Sequence, residues 1–377
     1  MFKPIRYPGS NPEDAFKQAL EAIRDSHSKK GEVAQVRNLI SPSAIQRLNT
    51  VAATQYDDNF GIVRFYGGMI HRFPTATFDV VNGATKASRT TSRELADFLI
   101  VVVFSEADVH GAHVVTGRRA SLVQAKLDCS PSGAQVFNLD PMTQDIAEST
   151  DEEQFYLLNQ WPDFELSCAA GRKFNLRVHE TPNRPLAKYC FLWDEPKAKT
   201  ARLPHSWPSS WQSANPESNA LADTPLGSLM VRMIDSDGGY GKEFEADKPI
   251  NDWDCLMNTL TTNCSVSTWA KESKLADPAG VSFIDGICAY ATLLQHEQLP
   301  RMNPWRVPYF PSFWYPPTLK ALGLQRSEDT GMPVLVISVS SFDRRERLEA
   351  RELDLWRALN EAAYKLHALC RPWHREL

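Results

Sequence analysis

Two short groups of polar residues stand out because of where they fall. Glu94-x-x-Asp97 leads directly into the apolar run at residues 98–104, and Gln124-x-Lys126 lies late in a second run at residues 120–127. Both runs are strand-sized, and the first, rich in β-branched residues, reads as a strand buried on both faces. Side chains alternate along a strand, so Gln124 and Lys126 share a face with Leu122, while Val123, Ala125 and Leu127 take the other. A lysine on such a strand is costly unless its charge has a partner. Asp97, at the start of the neighbouring strand, is the expected partner.

These residue types suit hydrolysis of a phosphodiester, which needs a divalent cation held by oxygen, a positioned water and positive charge near the phosphate. Mg²⁺ favours one or two carboxylates and completes its shell with water and phosphate oxygens. Asp97 is the expected central ligand, Glu94 a second carboxylate, and the Gln124 amide oxygen takes a place usually filled by Asp or Glu. Lys126 orients the attacking water and offsets negative charge.

The order of acid at a strand start, then Gln-x-Lys on the next strand, resembles the PD-(D/E)xK nuclease superfamily, and its Gln-x-Lys form is similar to the Mrr-type restriction endonucleases. Arg93-Glu94-Leu95-Ala96-Asp97 and the apolar run after it also resemble nuclease-like proteins of bacterial anti-phage systems. The match covers roughly residues 60 to 195, about a third of the chain. The resemblance implies an α/β fold: a restriction-endonuclease-like core with a mixed central sheet flanked by helices. It implies a DNA endonuclease using Mg²⁺, or Mn²⁺ in its place, as a cytoplasmic effector of prokaryotic defence. A defence-system ATPase as partner and a homo-oligomer are its further implications. Gln124 departs from the carboxylate form of the motif. The alternative is therefore a catalytically silent nuclease-fold subunit that binds nucleic acid or scaffolds a complex.

The elements that must position these residues are partly readable. Residues 11–25 read as a helix, with Asn11 as N-cap, Pro12 at N1 and Phe16, Leu20 and Ile23 on one face. A second helix is expected at residues 43–54. The paired glycines and the proline of residues 61–78 predict short strands and turns. Arg118 and Arg119 are expected in the connection before the Gln-x-Lys strand, either on the DNA backbone or in a solvated turn. His71 is a candidate for the scissile phosphate or a base edge, against a structural histidine. A helix at 152–160 ends at Trp161-Pro162, with short strands to follow at 173–179 and 188–193.

Domain organisation is expected as a nuclease domain at 1–195, a Pro/Ser/Trp-rich linker at 196–225 and a C-terminal α+β regulatory or assembly domain at 226–377. In that last region, 226–234, 252–262 and 286–296 are helical candidates, and 333–339 is a strand. A long helix follows at 342–370, striped by Leu348, Leu355, Leu359, Ala362, Leu366 and Leu369. His367, Cys370 and His374 would share a helix face as zinc ligands if Pro372 did not interrupt it. The glycine-rich stretch from Asp235 to Lys242 lacks the first glycine of a phosphate loop and reads as a turn. The aromatic and proline residues from 305 to 317 read as core or rigid loop.

Composition sets outer limits. The 377 residues are 42% hydrophobic and 23% charged, as in an ordinary globular protein. No apolar run approaches the ~20 residues of a membrane span, so no membrane association is expected. The seven scattered cysteines contain no CxxC pair, which points to a reducing compartment. A net charge of −5 argues against coating nucleic acid by bulk electrostatics. It leaves room for a local basic patch or a partner.

Overall fold

The computed structural model describes residues 4–25, 32–57, 61–71, 74–81, 88–107, 113–128, 150–167, 173–178, 186–193, 211–214, 224–236, 240–245, 248–263 and 331–341. In chain order the elements are α1 (Pro12–Asp25), α2 (Glu32–Asn38), α3 (Pro42–Gln55), β1 (Gly61–His71), β2 (Thr75–Val81), β3 (Ser88–Glu94), β4 (Phe98–Ala107) and β5 (His113–Asp128). They continue as α4 (Thr150–Gln160), β6 (Phe164–Ser167), β7 (Lys173–Leu176), β8 (Ala187–Trp193), β9 (Trp211–Ala214) and β10 (Thr224–Pro225). Last come α5 (Leu226–Ile234), β11 (Lys242–Glu243), α6 (Asp252–Asn258) with a π-helical turn (Thr259–Asn263), and β12 (Gly331–Ser341). The expected helices at 286–296 and 342–370, the residues 302–317 and the His367–Cys370–His374 set lie outside the described residues.

The protein is mixed α/β, built on a mixed sheet ordered β1-β12-β4-β5-β8-β9-β10. The apolar run at 98–104 fixes its centre. Leu99, Val101 and Val103 enter one buried cluster, and Phe98, Ile100, Val102 and Phe104 enter another. A strand so apolar on both faces must be covered on both sides. On one side lie α1, α3 and α5, through Phe16, Leu20, Leu48, Leu229 and Met230. On the other lie α4, α6 and a second sheet ordered β3-β2-β6-β7, through Phe78, Phe155, Leu158, Phe164 and Trp253.

Strand β4 pairs antiparallel with β5, and β5 pairs parallel with β8. A parallel pair needs a crossover, and the chain between β5 and β8 carries α4, β6 and β7. Helix α4 stops at Trp161, whose φ of 46° a bulky residue rarely adopts. The indole is held by an edge-on Trp253 at 6.4 Å and by Phe164 at 6.4 Å, so packing fixes the bend.

Three expectations need correction. Residues 61–71 form one continuous strand rather than short pieces with turns, because β12 pairs along their whole length. Gly67 is there for close approach: a Cβ would lie 2.8 Å from the Ile40 oxygen and 2.9 Å from Ile40 Cβ. Arg118 and Arg119 lie inside β5, which begins at His113, not in a connection before it. Finally, the main sheet crosses the boundary expected at 196–225: β12 lies between β1 and β4, β9 pairs with β8, and α5 packs on α1.

Candidate functional site

Asp97 is placed by the end of a ladder. The bend at Leu95–Asp97 carries the chain from β3 in the second sheet to β4 in the first, and the Asp97 N–H donates to the Val123 carbonyl (3.0 Å). Strand β5 then runs on beyond β4, paired with β8 from Leu122 to Asp128. The Ala125 N–H, which has no β4 residue to meet, instead donates to Asp97 Oδ2 (2.7 Å). The carboxylate thus satisfies a buried backbone donor that would otherwise be costly. Gln124 and Lys126 emerge where β5 has outrun its neighbour.

The side chains form one connected chain. Gln124 Nε2 donates to Asp97 Oδ2, and Gln154 Nε2 donates to Gln124 Oε1. Gln154 Nε2 also reaches the Glu94 carbonyl (3.3 Å), and Lys126 Nζ donates to Gln154 Oε1 (3.2 Å). Asp97, Gln124 and Gln154 are buried, whereas Lys126 is half-buried and Glu94 exposed. As expected, Gln124 shares the Leu122 face, and Val123 and Ala125 take the helix-covered one. Lys126 was expected to pair with Asp97. It meets Gln154 instead and acts on Asp97 and Glu94 through space.

Burial dominates the electrostatics. It pushes Asp97 up to about 7, with Glu32 and Glu94 adding to the rise and the Ala125 N–H and Lys126 opposing it. Glu94, though exposed as a residue, is raised as well, by partial loss of solvent around its carboxyl, with Lys126 pulling it down. At both carboxyls the loss of solvent outweighs the attraction of Lys126.

Sequence reasoning missed Gln154. A signal was present: Gln154 precedes Leu157, Leu158 and Trp161 by three, four and seven residues, so it occupies the apolar stripe of α4. A polar residue there is buried and needs partners.

The remaining candidates lie apart from this chain. Arg118 and Arg119 are buried and face acidic partners. Arg119 Nη2 is 2.8 Å from Glu243 Oε1, and Arg118 is 3.9 Å from Glu245. Arg119 is about 16 Å along β5 from Gln124. His71 ends β1 opposite Gly331, at the same end of the sheet as Asp97 but with β12 between β1 and the start of β4. A cleft lined by Asp79, Thr90, Asp163, Glu165, Arg177 and Asp252 lies on the second sheet and includes none of Asp97, Gln124 or Lys126. Its acidic lining disfavours phosphates.

Among the described residues, no three His, Cys, Asp or Glu side chains gather to hold a metal ion. Two carboxylates and an amide oxygen nonetheless suit a hard cation that keeps most of its own water. Both hydrogen bonds to the Asp97 carboxylate fall on Oδ2, leaving Oδ1 as the donor. The raised Asp97 works against this, since burial favours its neutral form, and a bound cation would have to shift it back to the charged one. The Gln124 amide presents NH₂ to Asp97, so its oxygen becomes a ligand only when the amide is turned over. Among the described residues, no helix is long and apolar enough to cross a membrane. The chain matches no family model, no curated protein and no solved structure.

Proposed function

We propose that the protein is a Mg²⁺-dependent endonuclease hydrolysing DNA phosphodiester bonds, with Mn²⁺ able to replace Mg²⁺. The observation that carries this reading is the buried chain Asp97–Gln124–Gln154–Lys126 at the point where β5 outruns β4. Polar side chains at that depth cost stability unless paired, and here they converge on a lysine half-open to solvent. We read the β4–β5 pair, the crossover through α4 and parallel β8 as a restriction-endonuclease-like core. A cytoplasmic defence effector, assembled with an ATPase or with further copies of itself, is the context that the motif resemblance implies.

Asp97 and Glu94 would hold the cation, with the Gln124 oxygen joining them once its amide is turned over and its bond from Gln154 given up. When bound, the cation supplies Lewis-acid stabilisation of the phosphate and a more acidic water. Lys126 offsets charge on the phosphate and orients the water by donating a hydrogen bond. Gln154 fixes Lys126 and the Gln124 amide together. Because burial raises Asp97, a proton competes with the cation for its carboxylate, so the Mg²⁺ concentration needed for cutting is expected to fall as pH rises.

The Gln124 orientation favours a second reading, a silent subunit whose amide locks Asp97 in place. One assay separates them. Plasmid and linear DNA are incubated with the protein in Mg²⁺ or Mn²⁺, alongside Asp97→Ala and Lys126→Ala. The endonuclease reading expects cutting by wild type and a loss of roughly a hundredfold or more in each variant. Intact DNA in both metals, alone and with the protein's genomic neighbours, would sink it. Equal cutting by all three proteins would show that the site is elsewhere.

A further inference from the structure

A surface that meets phosphates needs exposed cations beside the site. Arg118 and Arg119 are buried in β5, so they do not supply it. The other candidates are Arg89 and Arg93 of β3. With Thr91 they lie on one face of that strand, at every second residue, opposite Val80, Phe78 and Ala76 of β2. Those β2 residues are buried, whereas β3 at this edge carries polar residues over α4. The reason is Glu153. Its carboxylate is fully buried, with Arg89 Nη2 at 2.6 Å from Oε1, Arg93 Nη2 on Oε2, and the Thr91 hydroxyl donating to Oε2 (2.8 Å).

Two guanidinium groups on one carboxylate leave a net charge of +1 at the surface. The Arg89 side chain is 48% exposed and that of Arg93 26%. Glu153 holds both in place, so little further side-chain freedom is lost when an anion docks. Arg89 meets Glu153 through Nη2, and the rest of its half-exposed guanidinium remains able to donate to a phosphate. The cluster is also tied to the candidate site at two points. Glu153 adjoins Gln154, and Arg93 adjoins Glu94, whose carbonyl Gln154 holds.

We infer that Arg89 and Arg93, clamped by Glu153, form the contact to the phosphodiester backbone flanking the scissile bond. The inference rests on the endonuclease reading and names the surface through which that site engages DNA.

The test measures duplex DNA binding against salt, in Ca²⁺, for wild type, Arg89→Gln, Arg89→Lys and Arg177→Gln, with cleavage in Mg²⁺ assayed separately. Arg177 lies on the second sheet's acidic cleft and controls for the loss of one charge anywhere. Arg89→Gln is expected to flatten the slope of log K against log salt by about 0.9, and to weaken binding roughly five- to tenfold at 0.1 M salt. Arg89→Lys retains most of the slope, and Arg177→Gln leaves it unchanged. If wild type cuts DNA but Arg89→Gln, still folded by circular dichroism, keeps the wild-type slope, the inference fails and the endonuclease reading stands. If binding depends on Arg89 but no metal supports cutting, the endonuclease reading fails, and Arg89 and Arg93 remain a contact to the DNA backbone with no scissile bond beside it. A wild type that neither binds nor cuts overturns both.

Discussion

Asp97 has two roles that pull against each other. It satisfies the Ala125 N–H and the Gln124 amide, yet its burial penalises the charged form on which metal binding depends. Its carboxyl titrates near 7 in the fold, against about 3.9 in an unfolded chain. Between those values the folded state keeps a proton that the unfolded state has lost, so the stability contribution is full below 4 and is lost as pH rises towards 7. Asp97→Asn keeps an oxygen for Ala125 and has no charge to bury. We expect it to abolish cutting while exceeding wild type in stability at pH 8 by on the order of a few kcal/mol, a gap that narrows down to pH 4. Urea midpoints at pH 8, 6 and 4 measure this; a gap constant across pH would refute the buried-charge account. That Asp97, Gln124 and Lys126 form one group was legible because each breaks an apolar pattern. Gln154 broke a pattern too, but glutamine is ordinary on a helix surface, and only the crossover between β5 and β8 brings α4 over the site.

At the scale of elements, legibility followed burial. The run at 98–104 had one physical solution, a strand covered on both faces, and α1 declared itself through its start signals and its stripe. Strand β1 did not, because Gly67 and Gly68 look like a turn when read locally. Its exposed edge is managed by a side chain: Asn49 of α3 donates to the Phe65 carbonyl (2.9 Å) and accepts from the Phe65 N–H (2.8 Å), standing where another strand would pair. This brings the Ile40 backbone down onto Gly67. The obstructing atom is a carbonyl oxygen, which cannot swing aside as a flexible side-chain tip would. Gly67→Ala should therefore cost roughly 1–3 kcal/mol through overpacking. The expected reading is a lower urea midpoint with an unchanged slope. A midpoint equal to wild type would mean that the turn between α2 and α3 shifts at no cost.

For the whole molecule, the decisive element is β12. Residues 333–339 read as a strand, but sequence does not show which strands they join, since any apolar neighbour would serve. In the fold, Val334 and Val336 enter the cluster under α4, while Leu335, Ile337 and Val339 enter the one under α1 and α3. Pro333 has no N–H to give, and it precedes Val334, where pairing with β4 begins. Removing β12 would expose the apolar faces it covers and leave the inner edges of both β1 and β4 unpaired. The segment 1–195, expected from sequence as the nuclease domain, carries every residue of the candidate site but lacks this strand. Expressed alone, it should be poorly soluble and unfold without a cooperative transition, while a chain through Ser341 should unfold cooperatively. Thermal melts of the two, with cutting assays on each, test this. A sharp transition and full cutting by 1–195 would show that β4 and β5 hold the site without the strand between β1 and β4. Failure of 1–195 to cut beside an active longer chain would instead make the elements after residue 195, β12 among them, part of what positions Asp97, although they contribute no side chain to the site.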